Sequence, residues 1–318
     1  MTAVEERLDQ TEVGRASGTP RRSRRRLWVV LATAVVVIGV AGRTLVADGS
    51  AAGFLGGLLP WLDGTTVTLY FGDDSGSYMV PVTRTLTGDD ESPQALVEAL
   101  LAGPGEGSGL LSLIPDGTVV RMVSFDGRAL EVDVSPEYAA SRSILADEAL
   151  LQTLGSWPGA EEVSITVDGR PLQAAPGHLL YFYEQARDRL VATPTPASSV
   201  SEILDAYLTG PSDDRLVGLP ADVEVLELRS APGSSLLRLD MTYTSSVRTF
   251  ALEDGDAMRR VLEGLLATLT TGFSDTRYVY LDFEGQATLG LGQCSNLLRR
   301  AQPPPSVLNP ASTLQGGV

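Results

Sequence analysis

The sequence predicts an α+β protein of two tandem small domains, each a mixed or antiparallel sheet with two helices on one face, behind an N-terminal transmembrane helix. Three observations carry that expectation. A unit of short helix, hard stop and second breaker occurs twice. The strands around it recur in the same order, offset by 105 to 116 positions. With 43% hydrophobic and 20% charged residues the chain can also bury real cores, and 318 residues fit about two domains.

Residues 1–26 are polar, end in an arginine cluster and read as a disordered cytoplasmic arm. Leu27–Val46 follows, twenty residues interrupted only by Arg43. That length matches the roughly 20 residues a spanning helix needs, and the preceding arginines hold the N-terminus in the cytoplasm. A cleavable signal peptide is the alternative, kept open by the small residues near Ala47–Ala52. In either case the rest of the chain lies outside the cytoplasm, at a bacterial cell membrane. Residues 47–64 read as a juxtamembrane linker, 65–174 as the first domain, 175–292 as the second, and 293–318 as a C-terminal segment with a disordered Pro-rich tail from Gln302.

The first unit opens with strands over 67–71 and 78–85 around the turn Asp73-Asp74-Ser75-Gly76. Ser92 then caps a helix with Pro93 at its first position. Leu96, Val97, Leu100 and Leu101 form its apolar stripe, and Gly103-Pro104 stops it. Ile114-Pro115 is the second breaker. A hairpin over 119–125 and 129–134 turns at Asp126-Gly127. A second helix over 144–154 and a strand over 163–169 close the unit. The second unit repeats the order: a strand over 179–184 and another over 189–193, then a helix over 200–208 with Ser199 and Glu202 as a capping box. Gly210-Pro211 is its stop and Leu219-Pro220 its breaker. A hairpin over 223–228 and 235–241, a longer helix over 255–271 and a strand over 278–285 complete it. Asp133 falls on Asp240.

Residues 1–43 hold eight Arg against four acids, so the remainder carries 16 Arg and 36 acids, a net charge of about −20. Such a body does not hold nucleic acid by phosphate neutralisation, and it repels anionic polymers and lipid surfaces. The single cysteine, Cys294, excludes an internal disulfide and a clustered-thiolate zinc site. The chain has no lysine, which excludes a Ser-Lys dyad.

The remaining chemistry-bearing residues form no active-site pattern. His178, the only histidine, begins a strand and reads as an edge or capping residue rather than a triad member. Cys294 reads as a small buried or half-exposed thiol. Asp73-Asp74, Asp89-Asp90-Glu91 and Asp213-Asp214 lack calcium-loop spacing and read as solvated turns. Asp133 and Asp240 belong to different copies of one unit, so they read as structural rather than as paired glycosidase carboxylates. Gly103-Pro104 and Gly210-Pro211 are helix stops, not phosphate loops. No catalytic residue, cofactor or metal site is expected.

The shared pattern resembles the GerMN domain of sporulation and spore-germination proteins. In the first unit it is carried by Leu69-Tyr70-Phe71, Gly103-Pro104, Ile114-Pro115, Val132-Asp133-Val134-Ser135, Thr153-Leu154 and Val167-Asp168-Gly169. The second unit departs at Asp222, at Leu239-Asp240-Met241-Thr242 and at Glu284. The resemblance implies a non-catalytic, membrane-anchored envelope protein that binds other envelope proteins, in an assembly related to sporulation or division. The expected mechanism is display of sheet edges or inter-domain grooves. A module recognising peptidoglycan glycan strands is the alternative, and an envelope hydrolase a third reading. Exposed aromatic rows would favour the glycan module.

Overall fold

The first strand of each repeat carries a continuous buried apolar run, Leu69–Phe71 and Leu179–Tyr183, the pattern of strands covered on both faces. One small domain cannot provide two covers, and the fold resolves this by joining the repeats. The computed structural model describes residues 64–315, apart from 173–176, 232, 272, 274–275 and 286–290. Leu27–Val46, with the arm and linker on either side of it, lies outside these residues. Among the described residues no helix is long and apolar enough to cross a membrane.

The first repeat contains β1 (Thr65–Gly72), β2 (Met79–Leu86), α1 (Pro93–Leu101), β3 (Val120–Phe125), β4 (Ala129–Val134), α2 (Glu137–Ser141), α3 (Ile144–Gly155), β5 (Glu162–Val167) and the two-residue β6 (Arg170–Pro171). The second contains β7 (His178–Glu184), β8 (Arg189–Thr195), α4 (Val200–Leu208), β9 (Leu216–Val217), β10 (Val225–Ser230), β11 (Leu236–Met241), α5 (Ser245–Glu253), α6 (Gly255–Thr271) and β12 (Tyr278–Phe283). A short helix α7 (Ser295–Leu298) precedes the C-terminal segment.

The anticipated helix signals act as read. The Ser92 hydroxyl accepts from Ala95 N, and Ser199 with Glu202 forms a complete capping box. Gly103 and Gly210 take left-handed φ of 76° and 84° just past the last helical turn, the conformation that ends a helix with least strain in glycine. Leu96, Val97 and Leu100 on α1, and Ile203, Leu204 and Tyr207 on α4, are buried. Each such side chain contributes about 1.5–3 kcal/mol by leaving water.

One expectation is corrected. The repeats do not have one sheet each; among the described residues there are three sheets, and the largest belongs to both repeats. The opening hairpins β1–β2 and β7–β8 meet along β2 and β8 to give a five-stranded antiparallel sheet in the order β1-β2-β8-β7-β9. Each repeat adds its own mixed sheet, β3-β4-β5-β6 and β10-β11-β12, in which a hairpin is extended by one parallel strand. The described residues form one compact unit.

The C-terminal segment is the second correction. Gln302 and Asn309 are buried, and Leu308 is 5% exposed. Gln302 exchanges two backbone hydrogen bonds with Val279 at the edge of β12. The proline-rich composition that reads as disorder here supplies an extended strap whose polar groups bond across the sheet.

Helix hydroxyls seal the sheet edges. Thr153 on α3 accepts from Tyr70 N (3.2 Å), and Ser156 accepts from Thr68 N (2.9 Å), on the open edge of β1. In the second repeat Thr268 on α6 accepts from Tyr181 N (2.9 Å). These threonines stand 115 positions apart and do the same work. Between the halves, the hydroxyls of Tyr70 and Tyr181, also equivalent residues, meet at 2.7 Å.

Candidate functional site

The repeated polar motifs are engaged in holding turns. After β5 the chain reverses through Asp168 (φ 53°) and Gly169 (φ 72°), and after β12 through Glu284 (φ 51°) and Gly285 (φ 67°). Two consecutive left-handed residues leave an N–H facing inward, and a carboxylate meets it in each repeat. Asp133 accepts from Gly169 N (2.8 Å) and from the Thr166 hydroxyl (2.6 Å); Asp240 accepts from Gly285 N (3.0 Å). The bonds from Thr166 and Gly169 hold the Asp133 carboxyl below the usual range. Two residues further on, the Ser135 hydroxyl accepts from Val119 N and that of Thr242 from Glu224 N, pinning the loop that enters each hairpin. Asp133 and Asp240 therefore each serve their own repeat.

The other candidates are closed or paired. His178 begins β7 and stacks on Phe273 with ring centroids 4.8 Å apart, and its Nδ1 has no partner. Neither a serine nor a carboxylate engages the ring as a triad would require. Cys294 is fully buried and its thiol donates to Gly255 O (3.3 Å). Burial pushes that thiol up to about 11, so the nucleophilic thiolate is scarce at neutral pH.

Asp73 is buried. Burial pushes its carboxyl up, yet bonds from Ser75, Tyr78 and Ser77 outweigh this and hold it below the ordinary carboxylate range. Asp73 and Asp74 come together with Asp213, distant in sequence, around arginine. Arg215 bonds Asp213 (2.7 Å) and lies 3.8 Å from Asp73, while Arg187 bonds Asp74 (2.5 Å). Hydrogen bonding by Arg215 draws the Asp213 carboxyl down to about 2. Among the described residues no cluster of three His, Cys, Asp or Glu side chains is placed to hold a metal.

A cleft of about 970 Å³ opens between the repeats, lined by Thr68, Gln152, Ser156, His178 and Arg277, with Pro304 of the strap at its rim. Its acid Glu161 is paired with Arg128 at 3.2 Å. The lining supplies hydroxyls, an amide and guanidinium groups, which suit binding; it brings together no nucleophile with a base.

The outer faces of the two mixed sheets differ most. In β4 and β5 the outward positions are Ala129, Glu131 and Asp133 beside Glu162, Ser164 and Thr166. At the matching positions of β11 and β12 stand Leu236, Arg238 and Asp240 beside Tyr278, Tyr280 and Asp282. Tyr278 is 46% exposed and Leu236 39%. Arg238 lies over the Tyr280 ring at 5.2 Å while bonding Asp282 at 2.6 Å. Sequence reading overlooked this face, although the alternation Tyr-Val-Tyr-Leu over 278–281 carries its signal.

Comparison with known proteins places this architecture. The pattern of the Germane family, described as sporulation and spore germination, matches residues 68–173 and again 179–288. The chain belongs to the Germane family. Among solved structures it resembles the tandem GerMN domains of the sporulation protein GerM from Bacillus subtilis, with a TM-score of 0.55 at 18% identity over 78% of this chain and 99% of that one. The first GerMN domain of the same protein aligns at 22% identity over 35% of this chain and 88% of that chain, with a TM-score of 0.27. A putative lipoprotein from Clostridium perfringens aligns at 20% identity over 37% and 84%, with a TM-score of 0.25. No curated protein sequence matches. Two Germane repeats in one chain agree with the tandem resemblance read from the motifs.

Proposed function

We propose that this chain is a single-pass, membrane-anchored, extracytoplasmic protein whose tandem Germane repeats are non-catalytic and bind partner proteins in a cell-envelope assembly related to sporulation or division. The observation that carries the reading is where the polar motifs go. Asp133, Asp240, Ser135, Thr242, Thr153 and Thr268 hold turns, loops and sheet edges. What is left outward and distinctive is a surface of Tyr278, Tyr280, Leu236 and Arg238. Tyrosine and arginine over a small apolar patch are the residues that dominate protein interfaces. Docking by augmentation of β1 or β7 is disfavoured, since helix hydroxyls already occupy those edges.

The glycan reading has one observation behind it, the paired tyrosines on β12. Stacking against sugar rings needs open aromatic faces, whereas Arg238 covers Tyr280, and the acidic body repels anionic wall polymers. The protein reading is therefore preferred. The N-terminal helix over Leu27–Val46 supplies the anchor in this reading.

The test immobilises the full chain through its N-terminus and presents detergent-solubilised envelope proteins and purified sacculi in parallel. Retention of one defined envelope protein, reduced at least tenfold by Tyr278→Ala with Arg238→Glu, is expected. Sacculus binding that the double variant abolishes, with no protein retained, overturns the proposal in favour of glycan recognition.

A further inference from the structure

Proline in a central strand is a defect, because it has no N–H for the ladder. Pro81 lies in β2, which has β1 on one side and β8 on the other. Opposite Pro81 across β1 stands Tyr70, whose N–H points away to Thr153, so the Pro81 carbonyl faces β8. There β2 and β8 pair at Met79 and Ala192; two residues on, Pro81 would meet Leu190 and cannot donate to it. The two strands part, and Asn309 fills the gap.

The fit of that side chain is complete. Its Nδ2 donates to Pro81 O (2.7 Å) and to Leu190 O (2.8 Å). Its Oδ1 accepts from Leu190 N (2.8 Å) and from Arg260 Nη2 (3.1 Å). Both amide hydrogens and both lone pairs of the carboxamide are thus used. The backbone joins in: Thr83 N donates to Asn309 O, and Leu308 N donates to the Thr83 hydroxyl. Asn309 is fully buried and the neighbouring Leu308 nearly so. An aspartate would set a carboxylate against two carbonyls, and a glutamine would be one methylene too long.

We infer that the seam between β2 and β8 is a binding slot for one Leu-Asn-Pro segment, filled in cis by residues 308–310, and that its occupation fixes the two repeats in one arrangement. The proline that spoils the ladder creates the slot, and the asparagine supplies the donor that the proline lacks. The strap is held at three places along its length, by Gln302 on β12, by Arg260 on α6, and by Asn309 in the seam. A vacant slot would take the same segment from a peptide or from a second copy of the chain. The inference is independent of which partner the outer face binds.

The test follows amide hydrogen exchange in the full chain. Asn309→Ala is expected to speed exchange at Leu190 and Thr83 at least tenfold. Val82 and Val191, which face the partner strands β1 and β7, should change little. A synthetic peptide of residues 302–315, added in trans, should restore protection saturably. A pair of spin labels at Ser164→Cys and Arg229→Cys reads the arrangement: one narrow distance in the parent, a broad one in Asn309→Ala. Unchanged exchange and an unchanged distance would overturn the inference, as would a peptide without effect on a vacant slot. If Asn309→Ala unfolds the whole chain, rescue by Pro81→Ala, which restores the missing N–H, supports the slot. Failure of that rescue counts against it.

Discussion

The two repeats share hydrogen bonds more faithfully than they share surfaces. Thr153 and Thr268, Tyr70 and Tyr181, Asp133 and Asp240, and Ser135 and Thr242 form the same contacts in each copy. Outward positions have moved freely, from Ala129, Glu131 and Ser164 to Leu236, Arg238 and Tyr280. At Tyr70 and Tyr181 buried N–H groups explain the contrast. Losing a partner for one is costly wherever it occurs, so the hydroxyls stay, while an outward residue of a sheet answers only to what docks there. The divergent face is the place to look for function, and the shared bonds are the place to look for stability.

The comparison breaks most readily where the helices approach the sheet. Gly264 on α6 and Ala149 on α3 stand 115 positions apart, like the threonines. A Cβ at Gly264 would lie 2.5 Å from Tyr181 O, so α6 sits closer to β7 than a methyl group permits. Gly264→Ala should therefore destabilise by about 1–3 kcal/mol even though alanine is the better helix former. Ala149→Gly should lose about 1–2 kcal/mol, the helix-propensity difference plus one buried methyl group. The midpoints of denaturant unfolding check both. A gain in Gly264→Ala that mirrors the loss in Ala149→Gly would mean that the two helices pack alike.

The edge-sealing threonines sharpen it next. Thr153→Val and Thr268→Val each keep the side-chain volume and leave a buried N–H of β1 or β7 unsatisfied. Each should lose about 1–3 kcal/mol. Amide exchange at Tyr70 and Tyr181 should rise in the matching variant alone. If only one variant responds, the two edges are not sealed in the same way.

Much of each repeat was legible because its signals are local. The Ser199–Glu202 capping box, the glycines at 103 and 210, and the Asp126-Gly127 turn act over a few residues, and the structure follows them. The Asp133 role was legible as structural, though its partner Gly169 is 36 positions away. What escaped was long-range. Asn309 bonds Leu190 and Pro81 across 119 and 228 positions, and no periodicity records that. One trace was visible nonetheless: Pro81 in the middle of an otherwise regular strand needs an outside donor. The shared five-stranded sheet left a similar trace in the unbroken apolar run Leu179–Tyr183 of β7. Helix α2 was missed because five residues show no period, and α5, as long as α1 and α4, because it buries only Val247 and Ala251; Tyr138 and Val247 become recognisable as core only once buried.

The smallest expected effect concerns one carboxylate placed twice. Glu148 on α3 and Glu263 on α6 are again 115 positions apart. Glu263 is paired with Arg259 (2.9 Å) and Arg260 (2.8 Å). Glu148 is buried near the Tyr70–Tyr181 pair and accepts from Gly177 N (2.6 Å), with no arginine beside it. Burial pushes its carboxyl above the usual glutamate value of 4.5, and the bonds from Gly177 and Gln152 offset this only in part. A folded-state pKa raised above the unfolded one means that the folded chain binds more protons between the two values. Stability therefore falls as pH rises through that window, and the penalty is complete above the raised value. Glu148→Gln keeps an acceptor for Gly177 N and removes the charge, so it should stabilise the chain at neutral pH and flatten that decline. Glu263→Gln should act in the opposite sense, losing about 0.5–1 kcal/mol at neutral pH as its arginines lose a charged partner. Thermal unfolding from pH 4 to 8 checks both, and a decline that persists in Glu148→Gln would place its source in another group.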